Sequence, residues 1–167
     1  ALKEKIPFLI GIICGGLKSK YYTDFLAQSS GCKDSYNNVE YRVKNPKSVA
    51  LDYKFSCNRK NDNRIHVVDM QSLGDMWGTG LFKSNACDFC DDVTTELADV
   101  SLGDAWIPPY NKDGLGNSIV ISRSAVADSI IKQGINSGDL RLDVLDLPKI
   151  KSSQQGSFNH RHKGLLY

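Results

Sequence analysis

Phe8-Leu9-Ile10-Gly11-Ile12-Ile13-Cys14-Gly15-Gly16 is a short, continuously apolar run that stops at a cysteine and two glycines. Such a run, bounded by turn residues, reads as a strand covered on both faces. Beyond it Leu17, Tyr21 and Phe25, with Tyr22 and Leu26, recur at steps of three and four as far as Gln28, the period of an amphipathic helix. Strand, glycine turn and helix in succession set the frame for the rest. Val39–Val43 alternates apolar and polar residues and Val49–Phe55 does so more loosely, so the two predict an antiparallel hairpin across Asn45-Pro46. Asn58–Arg64 reads as a solvated tip, Ile65–Val68 as a strand, and Met70–Lys83 as a short helix resting on Met70, Leu73, Met76 and Trp77 and broken by Gly78 and Gly80. Leu97–Gly103 predicts a strand closed off by Pro108-Pro109, Asn117–Ser122 another, Ala125–Gln133 a helix, and Leu140–Leu147 a last strand ended by Pro148. The fold class expected is α/β or α+β: one mixed sheet with flanking helices in a single domain over 8–147. The segment 148–167 is a polar, weakly patterned tail.

The 167 residues suit one domain and can bury a core. A hydrophobic share of 41% and a charged share of 24% exclude a wholly disordered or fibrous chain. With 21 basic and 19 acidic residues the net charge is +2, too small a field to draw in nucleic acid. No apolar run reaches the length of a membrane helix, and the N-terminus lacks the pattern of a secretory leader, so a cytoplasmic location is expected. Five cysteines cannot all pair with one another, so at least one sulfur stays free.

Cys87-Asp88-Phe89-Cys90 carries the sharpest local signal, two thiols at the spacing that lets both bind one metal or cluster. A redox dithiol and chance spacing are the other readings. Cys14, at a strand end before two glycines, is the third candidate ligand, against the plainer role of a small buried side chain. Cys57 is a candidate fourth sulfur, whereas Cys32 reads as an incidental loop thiol. His66 reads as an outward strand residue, and His160 and His162 as parts of a basic tail. Gly15 and Gly16 followed by Lys18, Ser19 and Lys20 suit either a phosphate cradle at a helix start or a tight turn. Arg42, Lys44 and Lys54 fit an anionic cofactor or a solvated strand face. Asp104 and Trp106, where a strand must turn, fit a site wall in which the indole stacks on a planar cofactor or caps the core.

The block Leu81–Asp92, then Glu96–Trp106, resembles the C-terminal domain of the coenzyme F-420 hydrogenase/dehydrogenase beta-subunit family, as do Ile12–Gly16 and Ser118–Arg123. The resemblance implies part of an oxidoreductase, an iron-sulfur flavoprotein relaying electrons between a [4Fe-4S] cluster, FAD and a deazaflavin-type or other acceptor. It implies Cys14, Cys87 and Cys90 as cluster ligands, and its flavin is expected at Gly15, Gly16, Lys18, Arg42, Lys44, Asp104 and Trp106. It also implies an electron-donor or acceptor protein, such as ferredoxin or a partner subunit. The family's upstream Pro-Cys motif and ferredoxin-like segment are absent from these 167 residues, so the chain is expected to be an excised part of a longer protein. Two other classes fit the same residues: a zinc-binding structural module, and a cofactor-free regulatory or assembly domain of the same fold.

Overall fold

The computed structural model describes residues 5–74 and 79–163. Met76, Trp77 and Gly78, on which much of the helix expected over Met70–Lys83 rests, lie outside the described residues. Among the described residues of that stretch a 3-10 turn forms at Gln71–Leu73. The described strands are β1 (Ile10–Ile12), β2 (Tyr36–Lys44), β3 (Tyr53–Arg59), β4 (Ile65–Asp69), β5 (Val100–Asp104) and β6 (Ser118–Ser122). The α-helices are α1 (Lys20–Ser29), α2 (Ala125–Asn136), α3 (Leu147–Ser153) and α4 (Gln155–Lys163). The class is mixed α/β, as the sequence implies, but the strands form two three-stranded sheets instead of one. The chain divides into two compact units.

One unit takes 5–15, 88–107 and 118–163 and holds the sheet ordered β1-β5-β6. β1 runs parallel to β5, Ile12 lying opposite Leu102, and β5 runs antiparallel to β6, so this sheet is mixed. One face is closely covered. A Cβ on Gly11 would come within 2.5 Å of the Thr95 Cβ and 2.9 Å of the Ala98 Cβ, and one on Gly103 within 2.5 Å of the Ile13 Cβ. Only glycine allows those approaches. Arg123 secures the same face by donating to the Ser101 hydroxyl at 2.7 Å and to the Thr94 carbonyl at 3.1 Å. The other face departs from the expectation of a strand covered on both sides, since Ile10 is 66% and Ile12 72% exposed.

The strand expected over Leu140–Leu147 does not form. Gly138 turns with φ +81°, the Leu140 amide donates to the Gly134 carbonyl at 2.9 Å, and the leucine side chain lies over Gly134. The helix end captures the residues that a ladder would have needed. The tail is ordered as α3 and α4: Asp146 caps α3 by accepting from the Lys149 amide at 3.2 Å, with proline in the first turn. Helix chemistry was present there without an apolar stripe.

The second unit, 16–87 with 108–117, holds the antiparallel meander β2-β3-β4 and α1. The expected hairpin is present, extended to Tyr36 and bulged near Glu40, where the β2–β3 register shifts. β3 buries Tyr53, Phe55 and Cys57 and exposes Lys54, the period-two pattern of a strand with one face on a core. α1 turns Tyr22, Leu26 and Ala27 onto that core, while Leu17 and Tyr21, expected on the same stripe, are exposed. Cys32 and Cys57 are both enclosed in this core at 1% and 0% exposure, so neither is an incidental or ligating surface thiol. His66 is half-buried instead of outward: its Nδ1 lies 3.3 Å from the Ser30 carbonyl.

Candidate functional site

Cys87 sits in a 3-10 segment at Asn85–Phe89, and Cys90 follows it. The Cys87 sulfur receives the Leu17 amide at 3.2 Å, a bond within the second unit. In the first unit the Cys90 sulfur lies 2.5 Å from Arg161 Nη1, which also donates to the Cys90 carbonyl at 3.2 Å and the Asp92 carbonyl at 3.0 Å. The other guanidinium nitrogen donates to the Cys14 carbonyl at 2.9 Å. Cys14 is thus joined to this cluster through its carbonyl, and its amide donates to the Val93 carbonyl at 3.0 Å.

Arg161 is 6% exposed, so the guanidinium is a buried cation whose donors are taken by one sulfur and three carbonyls. Its neighbours on α4 reinforce the grip. His162 Nε2 lies 2.9 Å from the Asp91 carbonyl, and His160 Nε2 lies 3.4 Å from the Asp88 carboxylate. These histidines belong to a helix clasped on the 88–92 segment, not to a loose basic tail. Nothing local in the sequence marks Arg161, because a helix ending His160-Arg161-His162-Lys163 gives no sign of which residue turns inward.

The other expected site residues have structural employment. Gly16 adopts φ +139°, which only glycine accepts readily, and helix α1 begins later, at Lys20. The amides that a phosphate cradle would use are already bonded: Leu17 to the Cys87 sulfur, and Ser19 to the Phe82 carbonyl at 2.7 Å. Lys18 donates to the Leu81 carbonyl at 2.6 Å. Arg42 and Lys44 lie over the Tyr53 ring, 5.4 and 5.6 Å from its centroid. Gly15 lies beside Ser157. The Asp104 carbonyl accepts from Gln154 at 2.7 Å, and the Trp106 amide donates to the Ser153 hydroxyl at 2.9 Å, so the β5 exit is fastened to the α3–α4 junction.

A family model for the C terminus of the beta subunit of coenzyme F420 hydrogenase/dehydrogenase matches residues 1–147. The chain belongs to this family. No curated protein matches it. The match ends at the first residue of α3, so Arg161 lies outside the stretch shared with this beta-subunit family while its partners Cys14, Cys90 and Asp92 lie within it.

Family membership calls for a test of the iron-sulfur and flavin expectations on the residues themselves, and they do not fit. Among the described residues no three His, Cys, Asp or Glu side chains gather closely enough to hold a metal ion. The Cys90 sulfur faces a guanidinium, and the Cys87 sulfur faces an amide. The expectation of a [4Fe-4S] cluster on Cys14, Cys87 and Cys90, of FAD on the glycine turn and basic strands, and of electron relay between them is therefore corrected. The zinc module fails on the same ground. No helix among the described residues is long and apolar enough to cross a membrane.

Proposed function

We propose that this chain is part of an oxidoreductase of the hydrogenase/dehydrogenase beta-subunit kind, acts in the cytoplasm, and works by docking a partner subunit that carries electrons. The family description names a subunit, which presupposes another chain to join. The observation that carries the reading is the open face of the β1-β5-β6 sheet, where Ile10, Ile12 and Leu102 are 66%, 72% and 40% exposed on adjacent strands. Contiguous apolar surface of this kind marks interaction sites. Five free cysteines accord with a reducing compartment.

The test is purification of the parent complex from its native host, with the polypeptides it contains read by native mass spectrometry and viologen-dye reduction measured on the same sample. The expected result is a stable second subunit with dye-linked activity, and its loss in Ile12→Lys while circular dichroism stays unchanged. Retention of the partner by Ile12→Lys would overturn the docking face. A complex that forms only transiently with added ferredoxin would replace the subunit with a soluble carrier.

A further inference from the structure

The second unit contains a cavity of about 550 Å³. Its walls carry the rings of Tyr21, Phe25, Tyr36 and Phe82 and the carboxylates of Asp24 and Asp34. Phe25 and Phe82 lie with ring centroids 5.3 Å apart, tilted by 34°. Phe82 holds φ +60°, a left-handed conformation that is strained for a bulky side chain. Its carbonyl is fixed by the Ser19 amide at 2.7 Å, so the surrounding structure keeps that ring in the wall.

Asp24 is oriented for a ligand. One oxygen accepts the Tyr36 hydroxyl at 2.6 Å, and the other faces the Lys20 ammonium at 3.6 Å. The Tyr36 hydroxyl first, and Lys20 after it, hold the Asp24 carboxyl below the usual carboxylate range, so the acceptor stays charged. The same Lys20 ammonium lies 4.5 Å from the Tyr21 ring centroid. The protein therefore already seats an alkylammonium between the Tyr21 ring and the Asp24 carboxylate, both of which line this cavity. That lysine side chain is 76% exposed, and solvent so weakens an exposed pair of this kind that an incoming cation can displace it. The Asp34 carboxylate in the wall is paired with Arg59 at 3.7 Å, and Lys33 lines the cavity beside it, so Asp24 is the carboxylate that would take an incoming cation.

We infer that this cavity is a binding site for an organic ammonium carried on an apolar body, with Asp24 taking the charge and the Tyr21, Phe25 and Phe82 rings taking the body and the cation face. A free amine and the lysine side chain of a partner protein share that chemistry.

Calorimetric titration at low salt tests it with benzylammonium, benzyl alcohol and benzoate, which keep the ring and change the charge. Benzylammonium is expected to bind at least tenfold more tightly than benzyl alcohol, with no heat from benzoate. Asp24→Asn, which can still accept the Tyr36 hydroxyl, is expected to remove that preference, and Lys20→Ala to strengthen benzylammonium binding by taking away the resident competitor. Acetyl-Gly-Lys-Gly-amide separates the sources: tighter binding than benzylammonium assigns the cation to a partner's lysine, and weaker binding assigns it to a free amine. Equal affinity for benzylammonium and benzyl alcohol, or no binding of either, would overturn the inference. So would a Lys20→Ala protein that binds no more tightly than the unaltered chain.

Discussion

Arg161 places one guanidinium nitrogen 2.5 Å from the Cys90 sulfur and the other 2.9 Å from the Cys14 carbonyl, so a single buried cation fastens two segments 76 residues apart in sequence (90 less 14). The arrangement explains why Cys14 and Cys90 are associated in space without forming a ligand set. The sulfur of one and the carbonyl of the other answer to an arginine.

Arg161→Met removes donors from three carbonyls and a sulfur, and leaving such acceptors buried and unbonded costs about 3 kcal/mol. Urea unfolding is expected to show a loss of that order. Arg161→Lys should recover only part of it, because an ammonium lacks the planar fork. A midpoint for Arg161→Met equal to that of the unaltered chain would show that the clasp contributes nothing.

How far the sequence reached depends on which residues reported on their own surroundings. β3 was legible because Tyr53, Phe55 and Cys57 alternate with polar neighbours, and alternation is a local consequence of the pleat. The apolar run at Ile10–Ile12 announced a strand, but composition alone does not distinguish a covered sheet face from an open one. Cys32 stands between Gly31 and Lys33 with no periodicity to place it, and its burial comes from β3 and α1 closing over it. Leu140, Leu142 and Val144 alternate as a strand should, yet no strand among the described residues takes them up, and Val144 is fully exposed. Of the candidate site, the CxxC pair was visible as spacing. The arginine that meets Cys90 was not visible, because the contact spans 71 residues.

Phe55 is wholly enclosed between α1 and the β2-β3-β4 sheet, with the Tyr41 ring 5.9 Å away edge-on. Phe55→Ala is expected to destabilise that unit by roughly 3 to 5 kcal/mol in chemical denaturation, the range for a truncated core aromatic. A loss below about 1 kcal/mol would show that the core collapses around the gap.

Gly103→Ala forces a methyl group against the Ile13 Cβ, and both atoms are fixed close to the backbone. Overpacking of this kind costs about 1 to 3 kcal/mol, seen as a lowered unfolding midpoint. An unchanged midpoint would contradict the close approach of Ile13 to β5.

The phenols of Tyr22 and Tyr36 are both pushed up to about 12, by burial first in each case, with the Tyr53 phenol adding to the first and the Asp24 carboxylate to the second. A raised phenol contributes stability that is complete below its unfolded value of about 10 and is lost as pH rises through its folded value. Stability is therefore expected to hold up to pH near 10 and to fall progressively toward pH 12. Tyr36→Phe should remove its share of that alkaline loss. Tyrosinate absorbance followed alongside unfolding checks this, and full ionisation of all the tyrosines near pH 10 in the folded protein would contradict it.

Hydroxyl-radical footprinting of the native complex against the isolated chain reads the docking claim side chain by side chain. Several-fold protection of Ile10, Ile12 and Leu102 in the complex is the predicted result. Equal labelling of those three residues in both samples would contradict the account.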